Sequence, residues 1–195
     1  GSKEVDAGGV RVHPRTHQVQ AVSFAPGRSS WTVVDPSIQA DFDGIRKLHD
    51  GDFAVVNRDT ADKTWLVSFT SDRGPTRSYV WDRASRTGTF LFTSQPKLEG
   101  LALAEMKPVV IPARDGLKLN AYLTLPVGIE PRNLPLVLLV HGGPWARDGW
   151  GYNPMAQWFA NRGYACLMVN YRGSTGYGKS FLHAADKQWG LKMHD

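Results

Sequence analysis

The chain has 195 residues, 42% of them hydrophobic and 21% charged, with a formal net charge of +5 and one cysteine. That mixture excludes a disordered polypeptide and a disulfide-stapled miniprotein, and the lone Cys166, set in the apolar run ACLMV, reads as a buried, inert thiol. Basic residues are scattered singly from Arg11 to Lys179, and no apolar stretch is long enough to cross a bilayer, so neither nucleic acid nor a membrane is an expected partner.

The length suits one large domain, one and a half, or two small ones. At the start, GSKEVDAGG has no signal-peptide core, and Gly1-Ser2 has the look of a cloning remnant. The natural N-terminus is therefore expected to be missing, which leaves a soluble protein of either cytoplasm or periplasm. QVQAVSFA (Gln18–Ala25) alternates as a strand, and SWTVV suggests another. In DPSIQADFDGIRKLH, Asp35 can cap and Pro36 can open a helix whose apolar positions are Ile38, Phe42, Ile45 and Leu48, with Gly44 as a weak point.

Residues 50–93 then carry four short strands: Phe53–Asn57, Thr64–Thr70, Arg77–Asp82 and Thr89–Thr93. Their β-branched and aromatic composition and Gly/Asp/Pro turns match one β-propeller blade, with Gly88 expected to take positive φ in the last hairpin. After Pro96 the pattern changes. KPVVIPARDGLKLNAYLTLP (Lys107–Pro126) predicts a hairpin around RDG, and LVLLVH is a continuous apolar strand of the kind buried on both faces of a parallel sheet. NPMAQWFANRG predicts a helix capped by Asn153 and closed by Gly163, with Met155, Trp158 and Phe159 on its apolar face. YACLMVN is the next strand, completing a βαβ unit, and a further helix is expected over about 178–187. The predicted fold class is therefore mixed: residues 1–103 are the C-terminal one and a half to two blades of a β-propeller, and residues 104–195 are the first strands and helices of an incomplete α/β-hydrolase domain.

The loop after LVLLV draws the chemistry. Ligands in open α/β sheets bind at the carboxyl ends of strands, and His141-Gly142-Gly143-Pro144 lies at such an end. Glycines let backbone approach a substrate closely, and one N–H aimed at a tetrahedral oxyanion contributes about 3–4 kcal/mol to the transition state. A bare GG would suit an ordinary strand-to-helix turn. HGGP followed by NRGY and NYRGSTGYG is far more specific.

On HGGP (141–144), FANRGYACLMVNYRGSTGYG (159–178), QWGLKMHD (188–195) and the upstream MKPVVIPARDGLKLNAYLTLP, the chain resembles the prolyl oligopeptidase family of serine peptidases. It is most similar to the acylaminoacyl-peptidase and dipeptidyl-aminopeptidase-like branch. The resemblance implies a Ser-His-Asp triad in an α/β-hydrolase domain lidded by a propeller, short peptides as substrate, and no cofactor or metal. It also implies Gly142 as a backbone N–H donor to the oxyanion, Gly143 as part of the same loop, and a structural role for the His141 ring. No serine sits in a G-x-S-x-G elbow: Ser174 has Arg172 two residues before it, and Ser29 has Trp31 two residues after. In the family the elbow, the acid and the base all follow the segment ending here at Asp195. The nucleophile, acid and base are therefore expected outside this chain, and His183 and His194 are not the base.

HPRTH (His13–His17) lacks the glutamate of a zinc helix, and DFDG and DGD lack calcium-loop spacing. An α/β-hydrolase nucleophile strand pairs beside the LVLLV strand, so Leu136–Val140 is expected as a bare apolar edge, covered by the remainder of the polypeptide or by a second copy. The alternatives are a carboxylesterase-type hydrolase, whose loops usually read HGGG, and a non-catalytic propeller fragment acting through protein contacts.

Overall fold

The computed structural model describes Ser2 and residues 4–194; Gly1, with the cloning-remnant reading, and Asp195 lie outside the described residues. Two compact units are present. One spans Ala7–Phe24 and Ser29–Leu101, and the other gathers Ala102 onward together with the stretch ending at Asp6 and the Ala25–Arg28 loop. The short segments join the second unit through hydrogen bonds that composition does not advertise: Asp6 N–H to Gly176 O, and the Tyr122 hydroxyl to Gly27 O.

The first unit opens with β1 (Val10–Val12), β2 (Val19–Phe24) and β3 (Ser30–Val33), an antiparallel sheet in chain order. Three residues are too few to show a period, so β1 left no trace in the sequence pattern. A 3₁₀ turn (Pro36–Ile38), capped as expected by the Asp35 carboxylate on Ser37 N–H, leads into α1 (Gln39–Ile45). A four-stranded antiparallel meander follows: β4 (Asp52–Arg58), β5 (Thr64–Thr70), β6 (Arg77–Asp82) and β7 (Thr87–Thr93).

The two-residue period of β5 puts Trp65, Val67 and Phe69 on one face, and Trp65 and Val67 register opposite Trp81 and Tyr79 of β6. Ile38, Phe42 and Ile45 of the helical segment seal this face, and Phe42 meets Trp31, Phe53 and Trp65 edge-on. Both buried indole N–H groups end on buried carboxylates: Trp65 on Asp62 at 2.7 Å and Trp81 on Asp41 at 2.9 Å. Arg83 bridges the two acids, at 2.9 Å from Asp41 and 2.7 Å from Asp62, so neither charge is left unpaired.

Two glycines need a different account from the one sequence suggested. Gly44 is a packing requirement: a Cβ there would lie 2.4 Å from the Trp81 ring. In the β6–β7 hairpin the left-handed residue is Arg86 (φ 54°), not Gly88. Asp82 Oδ1 accepts from Ser85 N–H and Oγ–H, which sets the turn, while Gly88 lies in β7 opposite Trp81 with Leu48 2.4 Å from where its Cβ would be.

The second unit holds β8 (Met106–Pro112), β9 (Lys118–Thr124), β10 (Leu136–Leu139), α2 (Pro154–Ala160), β11 (Ala165–Asn170) and α3 (Gly178–His183). Sheet order is β10-β11-β9-β8, with β10 and β11 parallel and the others antiparallel. Asn153 caps α2 by accepting from Met155 and Ala156 N–H, and Gly163 (φ 86°) ends it. The helix face that is buried is Ala156, Gln157 and Ala160, whereas Met155 and Trp158 are 45% and 49% exposed. The small residues let the helix approach Met106, Tyr122, Cys166 and Met168, and Gln157 clamps Ala104 by accepting from its N–H and donating to its carbonyl.

The apolar run LVLLV is likewise not buried on both faces. β10 is an edge strand, with Leu136 56% and Leu138 55% exposed while Val137 and Leu139 face the helix-covered side. α3 stops at His183, short of the expected Lys187, which takes a left-handed φ of 58°. Among the described residues no helix is long and apolar enough to cross a membrane.

Candidate active site

Because β10 and β11 are parallel, the loops after both strands lie at the same end of the sheet. The loop after β10 carries His141, Gly142 and Gly143, and the loop after β11 carries Tyr171, Ser174 and Tyr177. The rings of His141 and Tyr171 stack at 4.6 Å, and the Tyr171 hydroxyl donates to His141 O at 2.9 Å. His141 Nε2 meets Ser174 Oγ at 3.0 Å, Ser174 Oγ–H donates to Tyr171 O at 2.6 Å, and Thr175 N–H donates to Ala146 O. Nδ1 of His141 lies 2.8 Å from Gly142 O. The imidazole is thus a brace between the two loops.

The Ser174–His141 contact has the atoms of a nucleophile and base, but not the setting. Ser174 is fully buried, and Nδ1 faces a carbonyl where a triad needs a carboxylate. His183 pairs with Asp186 at an exposed surface, and His194 lies beside the loop. Among the described residues no three metal-ligating side chains are gathered, and His13 instead caps its own turn by accepting from Arg15 and Thr16 N–H.

Glycines make the approach of the loops possible. Gly143 has φ 138°, and a Cβ there would sit 2.7 Å from Trp145 N. In RGSTGYG, Gly173 (φ 94°) would place a Cβ 2.6 Å from Ala185, and Gly176 (φ 89°) one 2.6 Å from Arg147. Gly142 by contrast has nothing within 4 Å of its Cβ position. Gly142 and Gly143 are exposed, and among the described residues neither N–H has an intramolecular acceptor. Two N–H groups without acceptors, on exposed glycines at the carboxyl end of a parallel strand, can donate to an anionic oxygen.

Around them lies a polar lattice that sequence did not single out. Arg147 packs over the Tyr177 ring and donates to its hydroxyl at 2.8 Å and to Ala25 O at 3.0 Å. Fully buried Asn170 holds Asp148 by accepting from its N–H at 2.7 Å and donating to its carbonyl. Burial pushes the Asp148 carboxyl up, an effect the His141 ring partly offsets, and its Oδ2 has no partner among the described residues. Burial also raises the hydroxyls of Tyr177 and Tyr171, the latter helped by the Asp148 charge, so both remain hydrogen-bond donors at neutral pH. Asp115, held by two 2.9 Å bonds from buried Arg172 and by Leu117 N–H, is pulled down to about 2. That pair ties the β8–β9 turn to the loop after β11.

Residues 150–195 match the prolyl oligopeptidase family. Over 97% of its length the chain is 48% identical to the dipeptidyl aminopeptidase BIII of Pseudoxanthomonas mexicana. The chain belongs to the prolyl oligopeptidase family. A second member, dipeptidyl peptidase family member 6 of Caenorhabditis elegans, is 30% identical over 99% of the chain. Among solved folds, the acylaminoacyl peptidase of Pyrococcus horikoshii superimposes on 97% of the chain with a TM-score of 0.66 at 22% identity. The chain spans 29% of the length of each of these three proteins. The shared fold is that of propeller blades followed by the first strands of an α/β-hydrolase domain, as the change of pattern after Pro96 led one to expect.

Proposed function

We propose that these residues serve a serine peptidase acting on short peptides, with the Ser-His-Asp triad supplied by polypeptide outside this chain. Gly142 N–H donates to the tetrahedral oxyanion, Gly143 shapes the loop, and His141, Tyr171 and Ser174 hold it rigid. The observation that carries this reading is the pair of free glycine N–H groups at the carboxyl end of β10. Such donors stabilise charge without reorganising, because the loop is fixed before substrate arrives. The segment alone is inert, and the exposed β10 edge, with Leu136 and Leu138 uncovered, is where the remainder of the polypeptide or a second copy adds. The 48% identical relative is named a dipeptidyl aminopeptidase, which favours release of dipeptides from a free N-terminus.

Fluorophosphonate labelling followed by intact-mass analysis tests this directly. The full-length polypeptide carrying these residues should gain one adduct and lose hydrolysis of free-amine dipeptidyl fluorogenic substrates, and the 195-residue segment should gain none. Hydrolysis that survives complete labelling would overturn the reading. Equal cleavage of N-acetylated and free-amine peptides would overturn its dipeptidyl part.

A further inference from the structure

The loop that braces the glycine loop is itself anchored. Ser174 N–H donates to Tyr171 O at 3.0 Å, so Tyr171–Ser174 is a β-turn with Arg172 and Gly173 (φ 94°) at its centre, and the positive φ falls on the glycine. Both flanks of this turn touch His141: Tyr171 through its stacked ring and its hydroxyl, Ser174 through Oγ. Between them, Arg172 is 5% exposed and donates from both terminal guanidinium nitrogens to the two carboxylate oxygens of Asp115, each at 2.9 Å.

We infer that Asp115 and Arg172 are positioning residues for the oxyanion loop, acting through the Tyr171–Ser174 turn. The inference rests on the proposed oxyanion role of Gly142 and adds two residues that lie outside the glycine loop. Sheet topology brings them together. β9 runs antiparallel to β11, with Asn120 opposite Asn170, so the β8–β9 turn carrying Asp115 stands at the end of the sheet where β11 stops. β10 is parallel to β11 and delivers the glycine loop to the same end. A fork of two charge-assisted bonds fixes direction as well as distance. Lys192 Nζ, 3.8 Å from Asp115, adds charge on a flexible stem without that direction. A guanidinium that slid off Asp115 would carry Tyr171 and Ser174 with it, and both of their contacts to His141 would loosen. Misplacement by about 1 Å costs up to about 10²-fold in rate, so a partial shift of the loop should cost about tenfold.

The test uses the full-length polypeptide with Asp115→Asn and Arg172→Lys, each alone and combined with Gly142→Pro, on a free-amine dipeptidyl fluorogenic substrate. Asp115→Asn should lower kcat roughly tenfold and leave KM within about twofold, because an oxyanion donor acts in the transition state and not on the bound substrate. Arg172→Lys keeps the charge and loses the fork, and should lower kcat in the same way. With Gly142→Pro in place the positioned N–H is gone, and Asp115→Asn should then change kcat by less than about twofold. Equal losses in both backgrounds, or an unchanged kcat in Asp115→Asn or Arg172→Lys, would overturn the inference. If wild-type protein cleaves no such substrate, the peptidase reading fails separately, and the positioning is judged by amide hydrogen exchange. Exchange over residues 171–177, where Thr175 N–H donates to Ala146 O, should rise roughly tenfold in Asp115→Asn while that of α2 keeps its wild-type rate. No rise, or an equal rise in α2, rejects the inference.

Discussion

Two pairs of tryptophans show how differently the two sheets use the same side chain. Trp65 and Trp81 are 0% and 1% exposed, pack under α1, and place each indole N–H on a buried carboxylate. Trp145 and Trp189 are 63% and 66% exposed and meet edge-on at 6.5 Å. The first pair closes a core; the second stays exposed near the loop that follows β10. Changes in the blade should therefore be read in stability, and changes around β10 and β11 in turnover.

The sharpest break of that division is Gly142→Pro, which deletes one N–H at a position where an added Cβ meets nothing within 4 Å. In the full-length polypeptide kcat should drop by about 10²–10³-fold with the urea midpoint unmoved. In the blade, Trp81→Ala should cost about 3–5 kcal/mol in urea unfolding, since it empties a fully packed site and removes the indole donor from Asp41 Oδ1, while Arg83 still pairs with Asp41 Oδ2.

Matched glycines sharpen the contrast further. Gly44→Ala should destabilise by about 1–3 kcal/mol, because the 2.4 Å approach to Trp81 outweighs the roughly 1 kcal/mol that alanine gains in a helix. Gly142→Ala, with no neighbour within 4 Å, should shift stability by less than about 0.5 kcal/mol in the same measurement.

Acid should act on the C-terminal unit through Asp115. Its carboxyl titrates at about 2, below the ordinary 3.8, so the ionised form stabilises the fold above the ordinary value and that contribution fades as pH falls toward 2. Melting curves of wild type and Asp115→Asn should therefore be separated at neutral pH and converge on acidification; a constant gap would remove the carboxylate–Arg172 pair from the explanation. The smallest effect concerns Cys166, fully buried with its thiol pushed up by burial. Alkylation of the native protein by iodoacetamide should be slow and become fast in urea.

How legible the molecule was depends on the range of the forces involved. The meander β4–β7, the Asp35 and Asn153 caps and the β8–β9 hairpin all follow from period, capping chemistry and turn residues within a few positions of one another. The glycine loop was legible because a strand ending in HGGP needs a backbone reason. What failed was anything requiring a partner distant in sequence. Gly88 was read as a turn residue because Leu48 is invisible from its neighbours, and Met155 and Trp158 were assigned to the covered face of α2 because periodicity cannot say which of two apolar stripes meets a sheet. QWGLKMHD was legible as a family segment, but that Trp189 and Met193 come back to Gly143 depends on the chain's return after β11.

By itself the sequence determined the local grammar: two patterns joined after Pro96, an aromatic blade, a βαβ unit, and a glycine loop at a strand's end. Those features are written in short-range sterics and hydrogen bonding, which neighbouring residues settle among themselves. Only the tertiary structure decided which groups the His141 ring braces, that Ser174 is buried and spent, that Asp148 sits partly desolvated beside the loop, and that two tryptophans close a core while two others stay exposed. Burial and close approach are properties of the assembled chain, and they assign identical side chains opposite work.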